Sequence, residues 1–581
     1  MNFKKLLNSV NNLLSSKKFQ KVETESTPTT GWLDDGYSWI PNWKVILGND
    51  YEPWLELASK PKTGPRVLIT TITGGNSALT PLETAFGVAL TLRGADVHYL
   101  ICDKAIPACQ NSYGSDLDAQ KLFVENGPSI CDWCYKCGDK SLQQLGLPLH
   151  KLSDFISNEE RITLKERAQT SKIDDILNSS EFGIELGETI RAAALRYFAR
   201  GDFEGEELCL PVLQRYYEAA LISSKSFSNL MEQYNFQHIV SNQGLYVPQG
   251  NIVAIAKKLN ADVVTWDLAY RSGSIHMSHD KTHIHSFLNE PISDWESMSW
   301  NKENENDIHE YLQGRWTGKF DWLKIVTQGA DQDPDDISSQ IGLDPNKKTI
   351  GLLTNVIWDE QLCYASNAFE NQIAWLIQTV EYFRKREDLQ LVVRVHPAEL
   401  NSWMKSRQLA IDEIENAFSP VPKNVFLIPP DSTINTYKAM MLCDSVLIYG
   451  TTTGLELSCM KIPVIVAGEA WIRGKGISFD VSSPSEYTQM LDQLPLNKKL
   501  SEDRYSRAIK YAYHYYFRKM IPLGIVEPSG FENAPYKIKD GGLSNFERGA
   551  DTGLDLICDG ILKKEPFIFK RELLELSSLK S

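Results

Sequence analysis

No apolar run in the 581-residue sequence reaches the roughly 18 residues that a membrane-spanning helix needs. The N-terminus has neither the apolar stretch nor the small-residue cleavage site of a secretory signal. Basic charge is in short supply. Lys and Arg number 60 against 75 Asp and Glu, for a formal net charge of −15, and this balance argues against duplex nucleic acid as a partner. The ten cysteines are unevenly spread in a long chain of ordinary composition. They point to reduced thiols or a metal site rather than a secreted disulfide framework. Internal repeats of solenoid period are lacking, and no Asp-x-Asp metal–diphosphate motif stands in a suitable place. A cytoplasmic protein of several domains is expected, because the length exceeds what one core fills.

Within residues 1–22 the charge is entirely basic: Lys4, Lys5, Lys17, Lys18 and Lys21 accompany Leu6, Leu7, Val10, Leu13 and Leu14 at helical spacing. A basic amphipathic helix of this kind can lie on the anionic inner membrane surface; it can equally pack on its own protein or fray. Residues 23–60 read as a lead-in. Arg66 to Thr71 is a buried-strand run, followed by the turn Thr73-Gly-Gly-Asn76, a helical pattern ended by Gly94, and a second strand from Asp96 to Ile101. That order is one βαβ unit. After a long helical stretch, strands return near 237–241 and 261–266, so residues 61–330 are expected to form an N-terminal Rossmann-like domain with a cysteine-rich insertion. A polar, Asp- and Pro-containing segment at 331–348 suits a linker. Strand and helix then alternate again through 345–500, giving a second doubly wound domain, and 501–581 is read as a C-terminal helical tail. The expected fold is therefore α/β, with two Rossmann-like doubly wound domains.

Two motifs in the second half carry most of the chemistry. A strand ending at Ile448 runs into Tyr449-Gly-Thr-Thr-Thr-Gly-Leu-Glu456. N–H groups and hydroxyls at such a helix start favour an anion such as a diphosphate, with Thr451, Thr452 and Thr453 as donors and Glu456 as an acceptor for ribose or sugar hydroxyls. An ordinary turn with a Thr N-cap would read the same way. Arg394-Val-His396-Pro397 closes another strand. Its Arg and His share one face by the two-residue period and sit at the carboxyl edge, where open α/β sheets bind ligands. They suit a departing phosphate, although a structural His at a strand end fits too.

Val393-Arg-Val-His-Pro-Ala-Glu399, then Tyr449 to Leu457, Lys461-Ile-Pro-Val464 and Gly468 together resemble the capsule polysaccharide biosynthesis family. That family includes bacterial capsule Kdo transferases and is similar in layout to the CDP-glycerol polymerases. The resemblance covers roughly residues 345–480; the first half matches only in its βαβ logic. It implies the GT-B arrangement, with donor nucleotide in the C-terminal half. By the same resemblance Arg394 and His396 contact donor phosphate, and Tyr449, Thr451 to Thr453 and Glu456 line the donor site.

A general base for the acceptor is expected from the first half. Glu83 opens the helix after the Gly74-Gly75 turn and is the first choice; complementing the helix dipole is its alternative role. Trp266-Asp267-Leu-Ala-Tyr-Arg271 follows a strand, so Asp267 and Arg271 are candidates for acceptor binding, and His279 or Asp280 for acid–base work. His276, His279, His283 and His285 lie within ten residues, a weak metal pattern. Cys109, Cys131, Cys134 and Cys137 could close a structural zinc site or hold an iron–sulfur cluster. Cys209, Cys363, Cys443, Cys459 and Cys558 look like core residues.

These features lead to the expectation of a glycosyltransferase that moves a sugar from a nucleotide-activated donor to a bacterial surface polysaccharide or glycolipid, with no cofactor required for catalysis. A nucleotide-sugar epimerase on the same fold and a non-catalytic glycan- or nucleotide-binding scaffold are the alternatives, with a metal–sulfur redox protein a third.

Overall fold

The computed structural model describes residues 39–288, 290–316, 321, 332–360, 364, 366–402, 404–496, 499–531 and 534–571. The basic segment 1–22, most of the lead-in and Cys363 lie outside the described residues, as does the side chain of His283.

In chain order the strands are β1 (Arg66–Thr71), β2 (Asp96–Ile101), β3 (Leu149–Lys151), the short hairpin β4 (Ser180–Glu181) and β5 (Ile184–Glu185), β6 (His238–Asn242), β7 (Asp262–Leu268) and β8 (Ser274–His279). The second half supplies β9 (Lys348–Leu353), β10 (Leu389–Arg394), β11 (Val425–Ile428), β12 (Ser445–Ile448), β13 (Val464–Val466) and β14 (Phe479–Asp480). After it come β15 (Ile521–Pro522), β16 (Val526–Phe531) and β17 (Ala534–Ile538).

Two sheets organise the molecule. The first has the order β15-β8-β7-β6-β1-β2-β3 and the second β11-β10-β9-β12-β13-β14. All neighbours in the second are parallel. In the first, β1, β2, β3, β6 and β7 are parallel, whereas β8 and β15 pair antiparallel. The sequence dictates this. Runs such as Val67-Leu-Ile69 and Leu389-Gln-Leu-Val-Val-Arg394 are buried throughout, as strands with both faces covered by helices require. The helix Thr80–Leu92 is buried almost all round. Gly87 lets it lie on β2, because a Cβ there would clash with the Tyr99 hydroxyl.

In the first sheet the chain steps outward from β1 to β3, then returns to place β6 on the other side of β1. The second repeats the pattern, with β9 to β11 on one side and β12 to β14 on the other. Each sheet thus has a switch point, β1/β6 and β9/β12, where the loops leaving the carboxyl ends diverge and open a crevice.

Two expectations about domain limits change. The helices Ser293–Glu296 and Lys302–Trp316 precede residue 330, yet Trp295, Ile308 and Tyr311 share a core cluster with Val446 and Ile448 of the second lobe. The segment after 501 is not simply helical. The helix Glu502–Tyr513 packs on the second lobe, and the chain then crosses back so that β15 extends the first sheet. The helix Thr552–Lys563 ends against Thr80–Leu92, where buried Arg93 pairs with Asp555.

The lobes also meet along a second seam. There the Arg407 amide donates to the Ala199 carbonyl (3.0 Å), the Gly201 amide to Gln408 Oε1 (2.9 Å) and the Tyr113 hydroxyl to the Lys405 carbonyl (3.0 Å).

Candidate functional site between the lobes

The switch-point loops of the two sheets face each other. From the first lobe, the loop after β6 contributes Gln243 and Tyr246. From the second, the loop after β9 contributes Thr354 to Glu360. The Tyr246 hydroxyl donates to Asp359 Oδ1 (2.9 Å) and accepts the Glu360 amide (3.0 Å). Arg196 lies 3.7 Å from Asp359 and stacks over the rings of Tyr246 and Trp358. Gln243 Nε2 donates to Asp267 Oδ2 (2.9 Å), while Asp267 Oδ1 takes the Leu268 amide (2.8 Å).

Three carboxylates therefore crowd one place. Burial, and then repulsion from Asp359 and Asp267, holds the Glu360 carboxyl well above the usual range against the pull of Arg196. Burial, then Glu360, Glu188, Glu469 and Asp359, raise the Tyr364 hydroxyl. His285 tilts against the Tyr364 ring at 5.3 Å. The Thr452 hydroxyl hydrogen-bonds to that of Tyr270, whose ring lies under Arg315. The threonine loop of the second lobe thus touches the first.

On the second lobe, consecutive residues tie the two motifs. The Thr354 hydroxyl accepts the His396 amide (2.9 Å) and Asn355 Oδ1 accepts the Gly450 amide (3.3 Å). His396 is half-buried, and burial followed by the Arg394 charge lowers its imidazole to about 4. Nδ1 accepts the Ala398 amide (3.1 Å), so the neutral ring carries its hydrogen on Nε2. Thr451 and Thr453 are half-buried and joined to each other, with the Thr453 amide donating to Thr451 Oγ1 (3.3 Å).

Several expected site residues are placed elsewhere. Arg394 does not reach a ligand: it is 1% exposed, and its guanidinium is spent on the Pro429 and Ser432 carbonyls and Thr436 Oγ1. Tyr449 is a core residue against Trp375 that donates to the Phe369 carbonyl (3.0 Å). Glu456 is fully buried, because the helix Thr453–Cys459 turns it inward. There it accepts Arg315 Nε (2.9 Å) and the hydroxyls of Tyr437 (2.5 Å) and Tyr516 (3.2 Å).

In the first lobe Glu83 does not open onto the cleft. It is 3% exposed, facing the Thr71 hydroxyl and the Trp266 indole, and burial pushes its carboxyl up to about 8. His279 and Asp280 were expected at the carboxyl edge. Because β8 runs antiparallel, His279 is instead opposite Val264, and the Asp280 amide donates to the Val263 carbonyl, near the start of β7. His279 stacks on Phe567 and bonds the Glu565 carbonyl at 2.9 Å, clamping the tail. Arg271 donates to the Met520 carbonyl (3.2 Å) and covers the Phe517 ring, which places it at the crossover. Asp267 is the residue of this group that stands at the interlobe site.

Among the described residues, no group of three or more His, Cys, Asp or Glu is arranged to hold a metal ion. The expected set of Cys109, Cys131, Cys134 and Cys137 is not brought together. The helix Cys131–Gln143 carries the last three, and at 100° per residue Cys137 lies about 120° round it from Cys131. Cys137 is fully buried. Cys209, Cys443, Cys459 and Cys558 are buried, as expected. No helix among the described residues is long and apolar enough to cross a membrane.

Tyr246, Asp359 and Glu360 belong to no motif recognisable in the sequence. Their signal was positional: each follows a central strand that borders a switch point.

No curated protein matches the chain. Among solved structures, the Thermosulfurimonas dismutans KpsC, beta Kdo 2,4 transferase is 11% identical, covering 48% of this chain and 80% of its own, with a TM-score of 0.31. The Rickettsia africae ESF-5 glycosyltransferase is 10% identical over 78% of this chain and 93% of its own, at a TM-score of 0.25. A Neisseria meningitidis UDP-GlcNAc 2-epimerase bound to UDP-GlcNAc is 12% identical over 78% and 96%, at 0.22. These likenesses are loose, and the two-lobed fold rests on the strand orders themselves. Residues 309–516 match the capsule polysaccharide biosynthesis protein family. That stretch holds the whole second sheet, both of its motifs and the helix that leads back to the first lobe, and over it the chain is similar to the capsule polysaccharide biosynthesis proteins.

Proposed function

We propose that the protein is a glycosyltransferase that moves a sugar from a nucleotide-activated donor to a surface polysaccharide or glycolipid acceptor. The donor binds at the β9/β12 switch point. The observation that carries this reading is the meeting of two crevices. His396, the threonine loop, Asp359 and Glu360 come from the second lobe, and Tyr246 and Asp267 meet them from the first.

In this reading the neutral His396 donates its Nε2 hydrogen to the departing phosphate, and the hydroxyls of Thr451, Thr452 and Thr453 hold the diphosphate. The carboxylate group accepts the proton of the acceptor hydroxyl. Burial and the neighbouring carboxylates hold the Glu360 carboxyl well above the usual range, which suits a group that must take up a proton and release it. The acceptor enters from the first lobe, past Gln243 and Tyr270. Segment 1–22 would bring the enzyme to the cytoplasmic membrane face, where lipid-linked acceptors are found.

The test is incubation with CMP-, UDP-, GDP- and CDP-linked sugars, following nucleotide release by chromatography. Release from one donor class, reduced about 100-fold or more in His396→Ala, supports the proposal. A sugar isomer without nucleotide release would indicate an epimerase, and inertness toward all four would leave a binding scaffold.

A further inference from the structure

Apart from the interlobe site, the first lobe has a second cluster of reactive side chains, and it is made of sulfur. Cys102 follows the carboxyl end of β2. Cys109 lies in the loop beyond it. Cys131 and Cys134 occupy the first turn of the helix Cys131–Gln143. All four thiols line one pocket with Ile72, Lys104, Ile106, Asn111 and Ile130. Its empty space, counted out to the solvent opening, is about 370 Å³.

The backbone around the pocket is built toward sulfur. The Gly75 amide donates to Cys134 Sγ at 3.2 Å. The amides of Lys104 and Ile106 point to Cys102, that of Asn111 to Cys109, and the Asn111 side chain to Cys134. Such N–H···S donors stabilise thiolates and tune the clusters that thiolates hold. The helix approaches this closely because Gly74 and Gly138 meet without side chains; a Cβ on Gly74 would lie 2.7 Å from the Gly138 Cα.

We propose that Cys102, Cys109, Cys131 and Cys134 ligate an iron–sulfur cluster, with Cys137 outside the set. Four cysteines are the ligand complement of such clusters. The four sulfurs line the wall of one pocket, an arrangement that suits a multi-atom core. Each thiol gives up its proton on ligation. The cluster would pin the β1 turn and the cysteine helix at the β1/β6 crevice.

The test uses the full chain, purified without oxygen and, in parallel, reconstituted either with ferrous iron plus sulfide or with zinc. Expected are iron and acid-labile sulfide in equal amounts, about four of each per chain for a cubane, with a visible absorption band bleached by dithionite. Cys102→Ser and Cys134→Ser should lose the iron and the band, while Cys137→Ser keeps both. Circular dichroism would confirm that each variant is folded, and the cluster's Mössbauer signature in the unaltered chain provides a readout independent of any variant. Failure to take up iron, stoichiometric zinc without sulfide, or a Cys137→Ser variant that loses a cluster Cys102→Ser retains would each overturn the proposal.

Discussion

Replacing Glu83 by Gln should make the protein more stable at alkaline pH. The carboxyl is 3% exposed, and burial lifts it from an ordinary 4.5 to about 8. The folded chain therefore keeps a proton that the unfolded chain releases near pH 4.5. Between those two values the native state binds more protons than the unfolded state, so the contribution of Glu83 to stability falls as pH rises. The slope is about 1.4 kcal/mol per pH unit, so the window amounts to on the order of 4 kcal/mol. Gln has no proton to lose and can still meet the Thr71 hydroxyl and the Trp266 indole. Urea midpoints at pH 5 and pH 8.5 measure the effect. The two proteins should be close at pH 5, and Glu83→Gln should lead at pH 8.5, with turnover by the folded variant little changed. Equal midpoints at both pH values, together with a collapse of turnover in Glu83→Gln, would refute the reasoning and restore Glu83 as a catalytic base.

Glu456→Ala should cost about 3 kcal/mol, because it strips a buried carboxylate from Arg315, Tyr437 and Tyr516; a lowered urea midpoint with nucleotide affinity intact is the expected result. Arg394→Met should also cost about 3 kcal/mol, with faster amide exchange in residues 429–436, since the guanidinium holds the loop after β11. His279→Ala should loosen the tail, read as faster cleavage near 565–567 in limited proteolysis, without reducing donor hydrolysis.

The parallel strands were legible in the sequence because burial on both faces leaves unbroken apolar runs, as in Val67 to Ile69 and Leu391 to Val393. The glycine and threonine turns after β1 and β12 were legible for a similar reason: each joins a strand end to a helix start. What escaped was set by direction and distance. β8 turns antiparallel, and nothing in Ser274 to His279 announces that, so His279 and Asp280 were assigned to the wrong edge. Glu456 looks like a helix-start acceptor until Arg315, 141 residues earlier, closes on it. Arg394 shares a strand with His396, yet the carbonyls that satisfy it belong to a loop 35 residues further on. The cysteine spacing pointed to a sulfur site, but Cys102 joins through the β2 edge and Cys137 leaves because of helical pitch.

The central claim is that the donor nucleotide sits where the loops after β9 and β12 face the first lobe. Amide hydrogen exchange of the full chain, with and without each of CMP, UDP, GDP and CDP, tests it most directly. One nucleotide should protect residues 354–360 and 449–453 together, with no such protection in His396→Ala. Protection confined to the first-lobe loops at 73–76 and 243–246, or none with any nucleotide, would contradict the account.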